Sequence, residues 1–415
     1  MAGIFPEKLW GVRRIAILGA GPIGLEAALA ALERGYAVEI FERGAEANAV
    51  RRWGHVRMFS PFGMNATKRG LARLENAGAT LPHSDGLLTG AEFRERYLTP
   101  LAGTLSAGIL HQHSPVLAIA RSRMLKGDHI GQPARGGMPF RLLVRHGAGE
   151  RIINADAVFD CSGTYGQPNH LGDGGIPAPG EQLCASRIYY GIPNLAGAER
   201  ERFKGRRVLV VGAGHSAATV ICDLASIAVG GQIHWLLRDD RELPAVEIPD
   251  DPLPERARLA ATANSLVRDQ RVVLHRGAAI EAIDRAMNGV DITIALRDRS
   301  FRLAVDEIIV ATGFRPDLNL ARELQLQTCW ATEGTYPLAA SMLGEAGADC
   351  LNISAGGAEM LTHPEPGYFT LGMKSYGRSP NFLLRTGYEQ IETVLAFLDK
   401  QSATASNELK LASSI

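Results

Sequence analysis

Apolar residues fall along this chain in short runs ended by glycine or charge, separated by stretches with helical spacing. The first full cycle of this pattern runs from Arg13 to Arg43. RRIAIL is apolar enough to be a strand buried on both faces. The turn Gly19-Ala20-Gly21-Pro22-Ile23-Gly24 follows, then a helix ending at Gly35, a natural C-cap, then the strand AVEIF and Glu42. Gly19 allows the sharp turn, Gly21 lets a pyrophosphate approach the backbone, and Gly24 lets the helix pack close to the strand. Pro22 stands where the first helical turn needs no N–H. The helix start offers unpaired N–H groups and partial positive charge to phosphates. An acid about 20 residues past the turn is placed to accept hydrogen bonds from both ribose hydroxyls. Together these features predict a dinucleotide site.

From Arg43 to Asn65 the pattern loses its period, while Trp53, Phe59 and Phe62 demand burial, so an ordered loop is expected. Two readings stand: a packed connector with solvated arginines, or a functional loop. In the second, Arg51 and Arg52 face phosphate and Phe59 to Asn65, with Ser60, lies beside a redox ring. Helical spacing returns at Lys68–Asn76 and Gly90–Leu105, the latter opened by Thr89 and Glu92 at capping-box spacing. Strands are predicted at Pro115–Ala120, in FRLLVR and in RIINADAVFD, the last ending in the turn Cys161-Ser162-Gly163. Leu125 to Pro139 is a Gly/Pro-rich excursion between strands.

At Arg206 the opening theme repeats. Val208–Val211 is the strand, Gly212-Ala213-Gly214 the turn, and a helix follows through His215 and Ser216 to about Ala228. The next strand, IHWLL, ends at Arg238 rather than at an acid. A carboxylate suits a free 2′-hydroxyl, whereas a guanidinium suits a 2′-phosphate. Two fingerprints with different ends imply two dinucleotides, the second NADP in preference to NAD. Further on, VDEIIVATGFRP echoes ADAVFDCSGTYGQP, an internal repeat. Near the end, PGYFTLG predicts a buried strand leading to Gly372, and an apolar helix follows over Phe382 to Leu398.

Composition narrows the classes. The 415-residue chain carries a formal net charge of zero, which removes the bulk electrostatic case for nucleic acid or an anionic membrane. No apolar run approaches the ~18–20 residues of a membrane span, and the N-terminus shows no signal-peptide core, so a cytoplasmic protein is expected. The five cysteines (Cys161, Cys184, Cys222, Cys329 and Cys350) are scattered without a CxxC, against a disulfide scaffold or a zinc ribbon. His111 and His113 would share a strand face, but no third ligand is evident, and no metal is expected.

With both fingerprints and both ATG-like turns in hand, the chain resembles the flavoproteins with two dinucleotide-binding domains. The resemblance implies an α/β fold of two Rossmann-like three-layer domains, the NADPH domain inserted in the FAD domain. The implied boundaries are 1–175 for the first part of the FAD domain, 185–305 for the NADP domain, 306–400 for the return segment and 401–415 for a flexible tail. FAD would contact Gly19, Gly21, Pro22, Ile23, Gly24, Glu42, Arg43, Arg52, Ser60, Val116 (through its backbone to adenine), Cys161, Gly163, Gly372 and Asn381. NADPH would contact Gly212, Gly214, His215, Ser216 and Arg238, and Gly313 of the second ATG-like turn is a further cofactor-binding position.

Two branches compete. GAGHSA and GMKSYGRSPNFLL look like the NADPH turn and late loop of flavin-dependent monooxygenases, including amine N-hydroxylases. The thioredoxin-reductase-like branch usually has a CxxC and a late Gly-Asp, and here Met373 follows Gly372. The first branch implies insertion of one oxygen atom from O₂ into a small N- or S-containing nucleophile through a peroxyflavin. The alternative is NADPH-dependent reduction of a disulfide, quinone or electron carrier. The monooxygenase branch's FxGxxxHxxx(Y/F) signature has only an imperfect match in Gly180 to Gly191. Lys374, Ser375, Tyr376 and Asn65 are further pocket candidates, no catalytic acid or base is named, and a homodimer is left open.

Overall fold

The computed structural model describes residues 12–227, 230–344 and 356–412. Most of the N-terminal stretch read above for a signal segment lies outside the described residues, as do Ala228, Cys350 and the last three residues. The chain divides into two compact units. One comprises Met1–Gly54, Ser60–Gln167 and Arg315–Ile415, and the other His55–Phe59 and Pro168–Phe314.

The first unit is built on a parallel sheet of β1 (Arg14–Leu18), β2 (Ala37–Phe41), β3 (Leu110–His111), β7 (Ala157–Asp160) and β16 (Tyr368–Thr370), in the order β16-β7-β1-β2-β3. Its central strand β1 and its neighbour β7 are almost wholly buried because helices and a second sheet cover the faces of the sheet. That second sheet is antiparallel: β4 (Val116–Arg121), β5 (Phe140–His146) and β6 (Gly149–Ala155). Ala16, Leu18 and Phe41 of the parallel sheet pack with Ile119, Phe140, Leu142 and Val144 of the antiparallel one. The helix Pro22–Glu33 buries nine residues, including Glu26, whose carboxylate accepts from Thr67 Oγ1 (2.7 Å) and pairs with Arg69.

The second unit repeats the plan. Its parallel sheet has the order β11-β10-β9-β15-β8, from β8 (Ile188–Tyr190), β9 (Val208–Val211), β10 (Ile233–Leu236), β11 (Val273–His275) and β15 (Glu307–Val310). The antiparallel sheet is β12 (Ala279–Ala286), β13 (Gly289–Ala295) and β14 (Ser300–Val305). The doubling extends to single side chains. Asp156, just before β7, accepts the backbone N–H groups of Arg13 and Arg14 at 2.9 Å, and Asp306, just before β15, accepts that of Arg207 at 2.8 Å.

Two local expectations change. The helix read over Gly90–Leu105 is Gly90–Phe93, a π turn over Arg94–Leu98, and Thr99–Gly103. Pro100 has no N–H for the carbonyl four residues back, and the ladder widens before it. The capping box at its start is present, with Thr89 Oγ1 accepting from Glu92 N–H at 3.2 Å and Glu92 from Thr89 N–H at 2.7 Å. The closing helix spans Leu384–Ala412, starting after Phe382. No helix among the described residues is long and apolar enough to cross a membrane.

Candidate functional site

In each parallel sheet the chain leaves the central strand on one side and returns on the other, opening a crevice beyond the strand ends. In the first unit this crevice lies past β1 and β7. Gly19 has φ +93°, and a Cβ there would lie 2.9 Å from the Cys161 carbonyl oxygen. One at Gly24 would lie 1.9 Å from the Gly19 oxygen, so the helix start can press against the strand end only without a side chain. A Cβ at Gly21 would meet nothing within 4 Å, so this face of the backbone is open. Pro22 opens the helix. Glu42 is 8% exposed, and its two oxygens accept the N–H groups of Ala20 and Gly44, each at 2.9 Å. Each oxygen keeps acceptor capacity for a ligand. The donor set and the open glycine fit the ribose and pyrophosphate of a dinucleotide.

Other predicted residues converge here. The Arg43 guanidinium lies where a Cβ on Gly166 would meet its Nη1 at 2.8 Å, and Arg52 Nη1 donates to the Tyr165 carbonyl at 2.9 Å. Gly163, with φ +66°, opens the turn that carries both contacts. The N–H of Ser114 donates to the Glu42 carbonyl at 2.8 Å and carries the chain into β4 at Val116. Gly372 has φ +68° and is packed so that its Cβ would meet Ile23 Cγ1 at 2.9 Å, which brings the late segment onto the first helix. Its N–H donates to Gln390 Oε1 at 2.8 Å. Ser60 and Asn65 instead satisfy each other: Ser60 Oγ reaches Asn65 Oδ1 at 3.0 Å, and Asn65 Nδ2 donates to the Ser60 and Pro61 carbonyls at 3.1 Å. Asn381 N–H lies 3.4 Å from Ser379 Oγ. His111 pairs with Glu39 at 2.9 Å and stacks on Phe41. The Tyr376 hydroxyl is buried with no hydrogen-bond partner among the described residues.

The sequence reading missed Asp160, the last residue of β7. It is fully buried, and its Oδ2 lies 2.6 Å from Lys374 Nζ and accepts from the Tyr368 hydroxyl at 2.6 Å. Its Oδ1 accepts from Ser162 Oγ at 2.6 Å and Ser162 N–H at 3.2 Å. Burial alone would raise this carboxyl; the Lys374 ammonium and these donors outweigh it and hold it below the usual range. A signal existed. In the internal repeat Asp160 stands opposite Val310, an acid where the echo has a hydrocarbon.

The second unit has the same joint. Gly212 has φ +133°, and a Cβ there would lie 2.3 Å from the Ala311 carbonyl oxygen. Trp235 is buried beneath it and donates Nε1–H to the Gly212 carbonyl at 2.7 Å. Gly214 is open as Gly21 is, with nothing within 4 Å of an added Cβ. His215 and Ser216 are exposed at the helix start, and His215 meets Phe59 edge-on, ring centroids 5.6 Å apart. Gly313 has φ +85°, and the carbonyl of Thr312, the residue before it, accepts from Asn169 Nδ2 at 3.0 Å. Arg238 is exposed. Its neighbour Asp239 pairs with Arg241 at 2.6 Å, leaving no carboxylate on Arg238 among the described residues.

Residues 121–335, just over half of the chain, match the family described as pyridine nucleotide-disulphide oxidoreductase. The chain belongs to this family. Its members include flavoprotein oxidoreductases, and this chain is an oxidoreductase of that flavoprotein class. A curated relative, the flavin-containing monooxygenase FMO GS-OX-like 2 of Arabidopsis thaliana, is 24% identical over 236 residues, 52% of this chain and 48% of that protein. The chain thus matches about half the length of that relative. Among solved structures, the bacillithiol disulfide reductase Bdr (YpdA) of Bacillus cereus superposes with a TM-score of 0.69 at 16% identity, over 94% of this chain and 99% of that one. The ornithine N-hydroxylase of Kutzneria sp. 744, solved with FADred, NADP+ and L-orn, gives 0.63 at 17% identity over 94% and 99%. At these identities the likeness is one of fold.

Proposed function

We propose that this oxidoreductase is an NADPH-dependent FAD monooxygenase that inserts one oxygen atom from O₂ into a small nitrogen- or sulfur-containing nucleophile. The observation that carries the two-cofactor reading is the doubled cradle with opposite ends. Glu42 is held by backbone N–H groups where a free ribose would lie, and Arg238 is exposed, with no carboxylate on it among the described residues, where a 2′-phosphate would lie. FAD then belongs to the first unit, with Gly19, Gly21, Gly24, Glu42, Arg43, Arg52, Val116, Cys161, Gly163 and Gly372 around it. NADPH belongs to the second, with Gly212, Gly214, His215, Ser216, Arg238 and Gly313. Bound there, the flavin would supply the two-electron exchange between nicotinamide and acceptor that no side chain of this chain can perform. The residues bind and orient the cofactors and keep water out.

The monooxygenase branch is supported by the cysteines. Burial pushes the thiols of Cys161 and Cys184 up and that of Cys222 up to about 11, so none of these three is poised as a thiolate. Cys329 favours the second reading, a reductase. Burial raises it, yet the N–H groups of Thr332 and Ala331 outweigh this and hold its thiol below the ordinary value. The deciding experiment feeds the FAD-loaded protein NADPH under ¹⁸O₂ with a panel of amines and thioethers. One ¹⁸O atom in a product per NADPH consumed supports the monooxygenase. Release of all the oxygen as peroxide, with NADPH oxidation by disulfides or quinones in the absence of air, would replace it with the reductase.

A further inference from the structure

Burying both members of an ion pair is expensive, and replacing such a pair by hydrocarbon often stabilises a protein. The second unit shows that this strand end needs no charge, since Val310 ends β15 where Asp160 ends β7. The Asp160–Lys374 pair therefore answers a need of the first unit alone. It ties together two turns that both border the first cradle. Ser162 stands in the turn whose backbone meets Gly19, and Lys374 stands two residues after Gly372, which rests on Ile23. An ammonium has three N–H donors. Lys374, only 2% exposed, gives one to Asp160 at 2.6 Å and one to Ser162 Oγ at 3.1 Å. Its third has no acceptor among the described residues.

We propose that Lys374 is a flavin-binding residue, its third N–H donated to an oxygen of FAD, and that Asp160 is the positioning residue that aims it. This rests on FAD occupying the first cradle. Asp160, itself held by Tyr368 and Ser162, fixes the ammonium rather than merely neutralising it.

The test measures the FAD dissociation constant of the deflavinated full chain, with the absorption spectrum and midpoint potential of the bound flavin and the melting temperature. Lys374→Met is expected to raise the FAD dissociation constant about tenfold or more. It should also perturb the flavin spectrum and lower the potential, because a cation has left and Asp160 stays behind. Lys374→Arg should recover part of the affinity. Since Lys374→Met alone strands a buried carboxylate and risks misfolding, the double variant Asp160→Asn/Lys374→Met is the second arm. It should melt near the wild type yet remain weak for FAD. If the double variant regains wild-type affinity, spectrum and potential, Lys374 gives nothing to the cofactor and the proposal falls. A wild-type chain that takes up NADPH but no FAD would overturn the assignment of the first cradle, and this proposal with it.

Discussion

An added side chain at Gly24 would put its Cβ 1.9 Å from the Gly19 oxygen, whereas Ala217 fills the equivalent position of the second unit and is fully buried there. The two turns are not copies, with φ +93° at Gly19 and +133° at Gly212. Beyond the second strand the contrast sharpens. Glu42 is buried, one oxygen bonded to Ala20 of the turn and the other to Gly44 just beyond its own strand, so the acid is part of the cradle's own structure. Arg238 is exposed, and no carboxylate among the described residues holds it. One cradle is pre-shaped by its specificity residue and the other only marked by it. A pre-shaped site loses stability and binding together when its acid is removed, while a marked site loses binding alone.

The largest expected effect is at Gly24. Gly24→Ala should yield protein that purifies without flavin and has lost about 2–3 kcal/mol of stability, read from flavin content and chemical denaturation. Gly21→Ala, with open space for its methyl, should weaken flavin binding while leaving the denaturation midpoint nearly unchanged. Equal instability in both variants would erase the distinction between a packing glycine and a ligand-facing one. Next comes Glu42→Ala, which strands the buried N–H of Ala20 and the part-buried N–H of Gly44 and should cost about 1–3 kcal/mol of apo-protein stability besides flavin affinity. Arg238→Ala should leave the melting temperature alone and raise the KM for NADPH about tenfold with little change for NADH. A parallel rise for both would remove the 2′-phosphate from the account.

Acid should act on both units, and less steeply. His363 in the first unit and His234 in the second are each buried neutral, their pKa lowered from 6.5 to about 4, chiefly by burial. His234 also lies 3.0 Å from His275, Nδ1 to Nε2, on the neighbouring strand. A depressed imidazole means the unfolded chain takes up the proton first. The stabilisation is complete above about pH 6.5 and drains away as pH falls toward about 4. The melting temperature should drop over that window. His363→Gln and His234→Gln should each flatten a different part of the drop, if the units melt separately.

The α/β class, the two turns and their glycines were legible because strand, turn and helix follow one another within some thirty residues, where pattern is informative. That Glu42 and Arg238 follow the second strand of each repeat was legible for the same reason. What escaped was charge buried by distant partners. Asp160 meets Lys374 across 214 positions, and Arg121 meets Glu365 across 244. Glu365 also receives Arg135 at 2.8 Å, all three side chains being essentially dry, and so pins the Leu125–Pro139 excursion. In a sequence such residues look like ordinary surface charge. Ser60 and Asn65, read as neighbours of a redox ring, are engaged first with each other and with local backbone, a use of short polar side chains that spacing does not distinguish from ligand binding.

The place of β16 in the first sheet has a consequence for synthesis. Its partner along one edge is β7, more than two hundred residues earlier in the chain. When a ribosome has made residues up to Phe314, every strand of the second unit exists, but β7 still shows an open, apolar edge where Tyr368–Thr370 will pair. The later-encoded unit can therefore finish folding first, while the earlier one waits with an unpaired strand, the state most exposed to wrong partners.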